Sequence, residues 1–533
     1  MIHVKQMRHG RPMVEGSMSS LEIETRRNAN RAFFFPFATI AASAAVARTC
    51  VAMALGTGAF LRLWHINLVG YNSDEAVYAG QAAALAGDPE ISRFFPIFRA
   101  HPMIFQVMLA TTYELFGVRD ITGRLLAALL GLVTVILVYR LGNLLYGRWC
   151  GVVAALLMAV MPYHVIVTRQ VLLDGPMTLF TTLALYLLAR YAKSQRPAML
   201  YATGAALGLT FLTKETGFVV AASVYAFLAL TPTARLRMRD IFVSGIFTLV
   251  PMVMFPLSIA LAGRTSTAKS YLVWQLFRRG NHEWTFFPTV VPPAIGLAVI
   301  GAALLGLLLL RRERTWRETL LVAWILVPVT VFQLWPVKGF QYLLPVAPAV
   351  AILAARTLTR WPGQRYVWVR PLFVGIVLLS LVLPSWDRLQ PSTSTHRLAG
   401  AGGIPGGREV GVWIRENTPR DAVFIAIGPS MANLIQFYGH HRALGLSVSS
   451  NPLHRNPSYQ PVGNPDARIR NGEVQYLVWD AYTASRTTYF TERLMSYVEK
   501  YRGHEVHREN IDVPDADGNV TPKAVIIVYE VSP

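Results

Sequence analysis

The sequence predicts a polytopic α-helical membrane protein that ends in a small α/β domain, and three observations predict it. Apolar runs long enough to cross a bilayer recur from Arg48 to Leu383. Hydrophobic residues make up 53% of the 533 positions and charged residues 15%, against about 25% in an ordinary soluble domain. After Pro384 the composition turns to Ser, Thr, Gly and Pro, then to alternating helical and strand-like segments.

The spans fall near 49–66, 124–145, 150–168, 173–193, 198–213, 217–231, 241–262, 286–310, 318–336, 341–357 and 370–385, about eleven in all. The number rises to about twelve or thirteen if the apolar segment 32–47 and the second helix of the first long loop are counted. Basic clusters lie on alternate loops: "RRNANR" before the first span, "YGRWCG", "RYAKSQR", "ARLRMR", "RRERTWRE" and "RTLTRWPGQRYVWVR". Such loops mark the cytoplasmic side, so the remaining loops face outward. Residues 1–48 are then a basic cytoplasmic N-terminus with an interfacial segment at 32–47, and 49–385 form the membrane domain. The first outward loop, 67–123, carries two helices with apolar stripes, "DEAVYAGQAAALAG" and "HPMIFQVMLATTYELFG", suited to lying in the interface. Residues 386–407 form a linker, and 408–533 an outward α/β domain with strands at "DAVFIAIG", "VQYLVWD" and "KAVIIVYEV".

The net charge of +20 comes from these short clusters rather than from a continuous basic face, which argues against nucleic-acid binding. Cys50 and Cys150 both sit at apolar runs and indicate neither a disulfide framework nor a thiolate metal site. No phosphate-binding loop occurs, and no strand precedes the glycines of "GGIPGGREVG". His282, His440 and His441 lack the spacing of zinc ligands.

The outward loops gather Asp74, Glu75, His101, Arg169, Asp174, Lys214, Glu215, Arg278, Arg279, His282, Lys338, Gln341 and Tyr342. A lone Arg or Lys at a helix end is most simply a snorkelling side chain. Asp74 and Asp174 are too short to snorkel, and ionisable groups at membrane depth tend to be functional. Carboxylates facing cations suit transfer of a group from an anionic leaving group to a hydroxyl. A carboxylate takes the proton of the attacking hydroxyl, while Lys and Arg meet the charge left on a departing phosphate. Single displacement at an anomeric carbon inverts it and needs one base opposite the leaving group, a role open to Asp74.

The same residues resemble the GT-C glycosyltransferases that use polyprenyl-phosphate sugars, among them the protein O-mannosyltransferases and the aminoarabinose transferases of lipid A. "SDEAVYAG" is similar to the acidic motif of that family's first loop, which implies Asp74 as catalytic base with Glu75 beside it. "AHPMIFQVMLATTYELFG" resembles its His-Pro-Pro helix, with Met103 in place of the second Pro. "VTRQVLLDGPMTLFTTLALYLL" resembles its Arg-x4-Asp segment, implying functional places for Arg169 and Asp174. "FLTKETGFVV" and "VKGFQYLLPVAPAVAIL" match a Thr-Lys turn and a late Lys, Arg-Tyr, Leu-Pro pattern, with Gln341 where Arg is common.

The resemblance implies a catalytic set of Asp74, Glu75 and Asp174, and a donor-phosphate set of His101, Arg169, Lys214, Arg278, Arg279, Lys338 and Tyr342. It implies an inverting transferase of the plasma (inner) membrane, acting outside the cytoplasm from a polyprenyl-phosphate-linked sugar to an acceptor lipid, protein or glycan. Some members bind a divalent cation near the acids; the sequence assigns no cofactor and no metal ligands. The competing readings are a flippase or transporter of lipid-linked sugar, a non-catalytic relative, and another membrane polysaccharide polymerase or ligase. Transporters place ionisable groups at the bilayer midplane on broken helices, whereas here the acids gather at one face.

Overall fold

The computed structural model describes residues 44–97, 101–231, 237–309, 315–360, 369–390, 403–514 and 519–533. The basic N-terminus, most of the segment 32–47, most of the linker, and parts of the clusters at 234–239, 311–318 and 356–370 lie outside the described residues. Residues 1–52 and 53–533 form two units. The described part of the first is the start of helix α1 (Ala44–Leu63), in which the Thr49 hydroxyl donates to the Ala45 carbonyl. All that follows concerns the second unit.

Two loop helices follow α1: α2 (Ser73–Leu85) and α3 (Ile104–Phe116). The apolar helices α4 (Asp120–Tyr146), α5 (Arg148–Val160), α6 (Pro162–Val167), α7 (Asp174–Ser194), α8 (Pro197–Thr213), α9 (Phe218–Ala229) and α10 (Met238–Leu261) come next. After α11 (Thr265–Phe277) come α12 (Phe286–Ile295), α13 (Leu297–Leu309), α14 (Trp316–Leu334), α15 (Ala347–Arg360) and α16 (Val369–Leu389). Among the described residues six segments are long and apolar enough to cross a membrane, with a seventh if the bent pair α12 and α13 counts as one. The chain is a multi-pass membrane protein. On α10, Phe242, Leu249, Val253, Met254 and Leu257 are exposed, as a lipid-facing helix requires.

Two expected spans are broken. The 150–168 segment divides at Met161, where Pro162 opens α6. The 286–310 segment bends by 91° at Gly296, whose φ of +101° suits glycine. Elsewhere helices close tightly on small residues. A Cβ on Gly142 would lie 2.9 Å from the Gly151 Cα, so α4 and α5 touch backbone to backbone.

The two ends of the bundle differ chemically. The 27 residues of α4 rise about 40 Å, from Asp120 to Tyr146. At the Tyr146 end its hydroxyl donates to Glu318 at 2.6 Å, and Arg356 pairs with the same carboxylate at 3.3 Å. The Asp120 end holds the acids and bases described below.

The C-terminal part contains a five-stranded sheet, β1 (Val423–Ala426), β2 (Arg442–Gly445), β3 (Tyr476–Asp480), β4 (His504–Pro514) and β5 (Val520–Glu530), in the order β2-β1-β3-β5-β4. β1 runs parallel to β2 and β3, and β5 antiparallel to β3 and β4. Helices α17 (Gly407–Asn417), α18 (Pro429–Leu434), α19 (Pro465–Arg470), α20 (Ala481–Ala484) and α21 (Thr488–Lys500) complete it. The expected strands at β1, β3 and β5 are present; β2 and β4 are additional.

The sheet region rests on the Asp120 end. The Tyr438 hydroxyl donates to Asp120 at 2.6 Å and accepts from the Tyr71 amide at 2.7 Å. Arg408 reaches Asp120 at 3.4 Å, Asn433 donates to the Ser73 hydroxyl at 2.9 Å, and His440 meets Glu90 at 2.7 Å.

At the end of β3, Asp480 is fully buried. One carboxylate oxygen caps α20 by accepting from the Thr483 amide at 2.7 Å, and the other has no partner among the described residues. Burial pushes this carboxyl up to about 6, opposed by its bond from Thr483. Because the folded value lies above the unfolded one of about 3.9, the folded form binds more protons between them, and stability falls as pH rises through that window. Hydrogen exchange of the 476–487 amides in the intact protein, corrected for intrinsic rate, should therefore show easier opening at pH 7 than at pH 4. Asp480→Asn should flatten the difference.

Candidate active site

The polar end is built around Glu75. Asn72 starts α2 with a capping box: its side chain accepts from the Glu75 amide at 2.9 Å, and Glu75 accepts from the Asn72 amide at 3.0 Å. Glu75 also accepts two bonds from Arg124, at 3.0 and 2.9 Å, and one from the Val171 amide at 3.0 Å. The remaining Arg124 donors go to the carbonyls of Ile66, Val69 and Gly70 at 2.8, 2.6 and 2.8 Å. Asn72 meanwhile donates to Gln170 at 2.8 Å. The end of α1, the start of α2, the start of α4 and the 168–173 turn are thus tied at one point.

This accounts for the two adjacent acids. Consecutive helical residues project about 100° apart, so when Glu75 turns inward Asp74 faces elsewhere. Glu75 is fully buried with both oxygens engaged and presents none to a substrate. The Asp74 side chain is exposed and has no hydrogen-bond or ion-pair partner among the described residues.

The neighbouring acids are paired. Asp174, first residue of α7, accepts from the Lys214 ammonium through both oxygens, at 2.8 and 3.0 Å, and the pair is buried. Lys214 also lies 4.5 Å from the centre of the Tyr342 ring. Glu215 meets the His101 ring at 2.8 Å and accepts from the Tyr271 hydroxyl at 3.3 Å. His101 is held edge-on between Tyr78 and Tyr271, at 5.9 and 5.8 Å. Arg278 stacks on Trp274 at 4.4 Å and has no carboxylate partner among the described residues.

Asp74 lies within electrostatic reach of Lys214, His101, Asp174 and Arg278. Its carboxylate is open to water on one side and surrounded by protein on the others, a polar recess. This enclosure raises its carboxyl above the usual aspartate range; Lys214 and His101 pull against that, and Asp174 reinforces it.

Asp74, His101, Asp174, Lys214, Glu215, Arg278 and Tyr342 therefore form one group. Arg169 stands apart: it is buried, with one guanidinium nitrogen donating to the Leu61 carbonyl at 2.7 Å. The Lys338 ammonium donates to the Trp335 carbonyl at 3.2 Å, and its backbone is held by Asn281. Arg279 is exposed, and His282 stacks on Phe286 at 3.9 Å.

Two buried arginines escape the sequence reading. Arg124 lies at a span boundary, where charge is ordinary. Arg62 lies inside the first span, and an ionisable residue within an apolar run was the available signal. It donates to the Thr168 hydroxyl at 2.9 Å and to the carbonyls of Gly58 and Ala159 at 2.8 and 3.0 Å, and it meets the His164 ring at 2.6 Å.

The fold and this polar recess define a polytopic membrane protein with an ionisable site at one end of its bundle. The family model for dolichyl-phosphate-mannose-protein mannosyltransferases matches residues 100–259. No curated protein matches the sequence. Among solved structures, ArnT from Cupriavidus metallidurans in the apo state is similar over 92% of this chain and 98% of its own, at 16% identity and a TM-score of 0.64. The same protein bound to undecaprenyl phosphate gives 90%, 97%, 16% and 0.63. The Archaeoglobus fulgidus oligosaccharyltransferase in the apo form gives 90% of this chain, 74% of that one, 14% identity and 0.56. The chain has the GT-C membrane fold.

Removing one partner of a buried, hydrogen-bonded ion pair leaves an uncompensated charge. Glu75→Ala should therefore cost about 3–5 kcal/mol, read as earlier unfolding in mixed detergent and dodecyl sulfate micelles. An exposed change such as Glu492→Ala should shift the curve little.

Proposed function

We propose that the protein is an inverting membrane glycosyltransferase, moving a sugar from a polyprenyl-phosphate donor to an acceptor hydroxyl, with Asp74 as general base. The observation that carries this is the division among the carboxylates: Glu75, Asp174 and Glu215 are each bonded to a cation or imidazole, while Asp74 is open and unpaired among the described residues. The fold shared with a protein solved with undecaprenyl phosphate supports the donor class.

In this mechanism Asp74 accepts the proton of the acceptor hydroxyl as its oxygen bonds to the anomeric carbon. The bond from that carbon to phosphate oxygen breaks on the opposite side, and polyprenyl phosphate leaves with the electron pair. Arg278 meets its charge together with Lys214, which Asp174 holds in place and Tyr342 underlies. Glu215 orients His101 beside them, and Glu75 acts through position alone. Arg169, Arg279 and Lys338, which stand outside this group, take no direct part in the proposed step.

Among the described residues no group of three or more His, Cys, Asp or Glu is placed to hold a metal ion, and no step requires one. The bent pair α12 and α13 resembles the broken helices of transporters but carries no ionisable side chain. It gives the transport reading no substrate site.

The alternation of basic loops supports a cytoplasmic Tyr146 end, with the site and the 408–533 domain outside the plasma membrane. Protease added to spheroplasts should remove a C-terminal tag; protection of the tag would reverse the orientation.

With a radiolabelled pool of polyprenyl-phosphate sugars, Asp74→Asn should lower turnover by about 10²–10⁴-fold. Equal turnover in both proteins would sink the base assignment. The base must be ionised and its carboxyl is raised, so kcat/KM should climb with pH along a limb whose midpoint lies above about 4. That limb should vanish in the residual activity of Asp74→Asn.

A further inference from the structure

A second concavity lies away from Asp74, between the first loop and the sheet. It encloses about 370 Å³, within the usual range for small-molecule sites, and runs along the edge strand β2.

Its wall has a defined chemistry. Arg93 comes from the first loop and Arg442 from β2, the latter donating to Gln460 at 3.2 Å. The lining carries these two arginines and no acid, and Glu90, the acid closest in sequence to Arg93, is bonded to His440. Gln436 donates its amide nitrogen to the Ala443 carbonyl at 2.8 Å, which fixes the orientation of the amide. Its Oε1 is buried and has no donor among the described residues. A buried acceptor without a donor costs free energy that a ligand hydroxyl recovers. Phe94 and Tyr459 add ring surface to the lining.

The cavity also connects to the reacting group. Asn433, fully inside its wall, donates to the Tyr459 hydroxyl at 3.3 Å and to the Ser73 hydroxyl at 2.9 Å, one residue from Asp74.

We infer that this cavity binds an anionic carbohydrate, a sugar or short glycan bearing phosphate or carboxylate, as the distal part of the acceptor. Two guanidinium groups take the anion, the Gln436 oxygen takes a hydroxyl, and the rings take a sugar face. Assignment to the acceptor rests on the transferase reading, because a lipid-linked donor arrives through the bilayer and not beside the sheet. Binding itself does not rest on that reading.

The test is calorimetric titration of the full-length protein in detergent with trehalose 6-phosphate, trehalose and inorganic phosphate. Trehalose 6-phosphate should bind more tightly than the other two. Its affinity should fall by at least about tenfold in Arg93→Ala/Arg442→Ala and in Gln436→Met, and be retained in Asp74→Asn. The inference is overturned if trehalose 6-phosphate gives no heat in the millimolar range, if phosphate alone binds as well, or if the substitutions leave its affinity intact. Retained binding with no turnover of any lipid-linked sugar would instead remove the transferase reading and leave the cavity as a carbohydrate site.

Discussion

The buried ion pair between Glu75 and Arg124 is the constraint from which the polar end of the molecule follows. A guanidinium has five N–H donors and an ionised carboxylate about four acceptor positions, and here all are used. Arg124 gives two bonds to Glu75 and three to the carbonyls of Ile66, Val69 and Gly70. Glu75 takes those two and the amides of Asn72 and Val171. Desolvating two charges is costly, and a pair is tolerated in a low-dielectric interior when each remaining lone pair and proton is met. Full saturation makes the arrangement rigid, since moving any one of the four chain segments would strand a buried polar atom.

Arg62 solves the same problem without a carboxylate. Its bonds go to carbonyls, to the Thr168 hydroxyl and to the His164 ring, so dipoles replace a counter-charge. The result is positional: Thr168 and His164 lie just before Arg169, and Arg169 reaches back to Leu61 beside Arg62. The turn between α6 and α7 is therefore held from α1 on one side and from Glu75, through Val171, on the other. That turn delivers Asp174 to Lys214.

Much of this was legible in the sequence and some could not be. Length and apolarity located the long spans, because a helix that must satisfy its own backbone in lipid leaves a run of apolar residues. The bend at Gly296 was hidden in an uninterrupted apolar run, where hydropathy has no contrast to read. Strands β1, β3 and β5 are short apolar runs, while β4, "HEVHRENIDVP", is mostly polar and lies at a sheet edge. Its pairing with β5 depends on partners distant from its own pattern. Among the site residues, parity of the loops gathered Asp74, Asp174, Lys214 and Glu215 on one side. It could not sort them, since whether a carboxylate is free or paired depends on side chains such as Arg124 and His101, which lie 49 and 114 positions from the acids they meet.

That sorting is the step that turns a polar recess into a site with a direction. Three carboxylates spent on neighbours leave a fourth exposed within a recess, raised by its surroundings, and near the ammonium and imidazole that two of those carboxylates hold. The sheet region reinforces the arrangement from the other side. Tyr438 links Asp120, at the start of α4, to the Tyr71 amide just before the Asn72 cap, and Asn433 holds Ser73. A Cβ on Gly403 would fall 1.7 Å from the Gly70 carbonyl, so this contact is made backbone to backbone with no room to slip. Asp74 is consequently the loose residue in a tight frame: its own side chain is unbonded, and both residues before it and the one after it are fixed by bonds to other segments. A base must meet a hydroxyl that arrives with a substrate, and a carboxylate committed in advance to an arginine or a lysine could not do so.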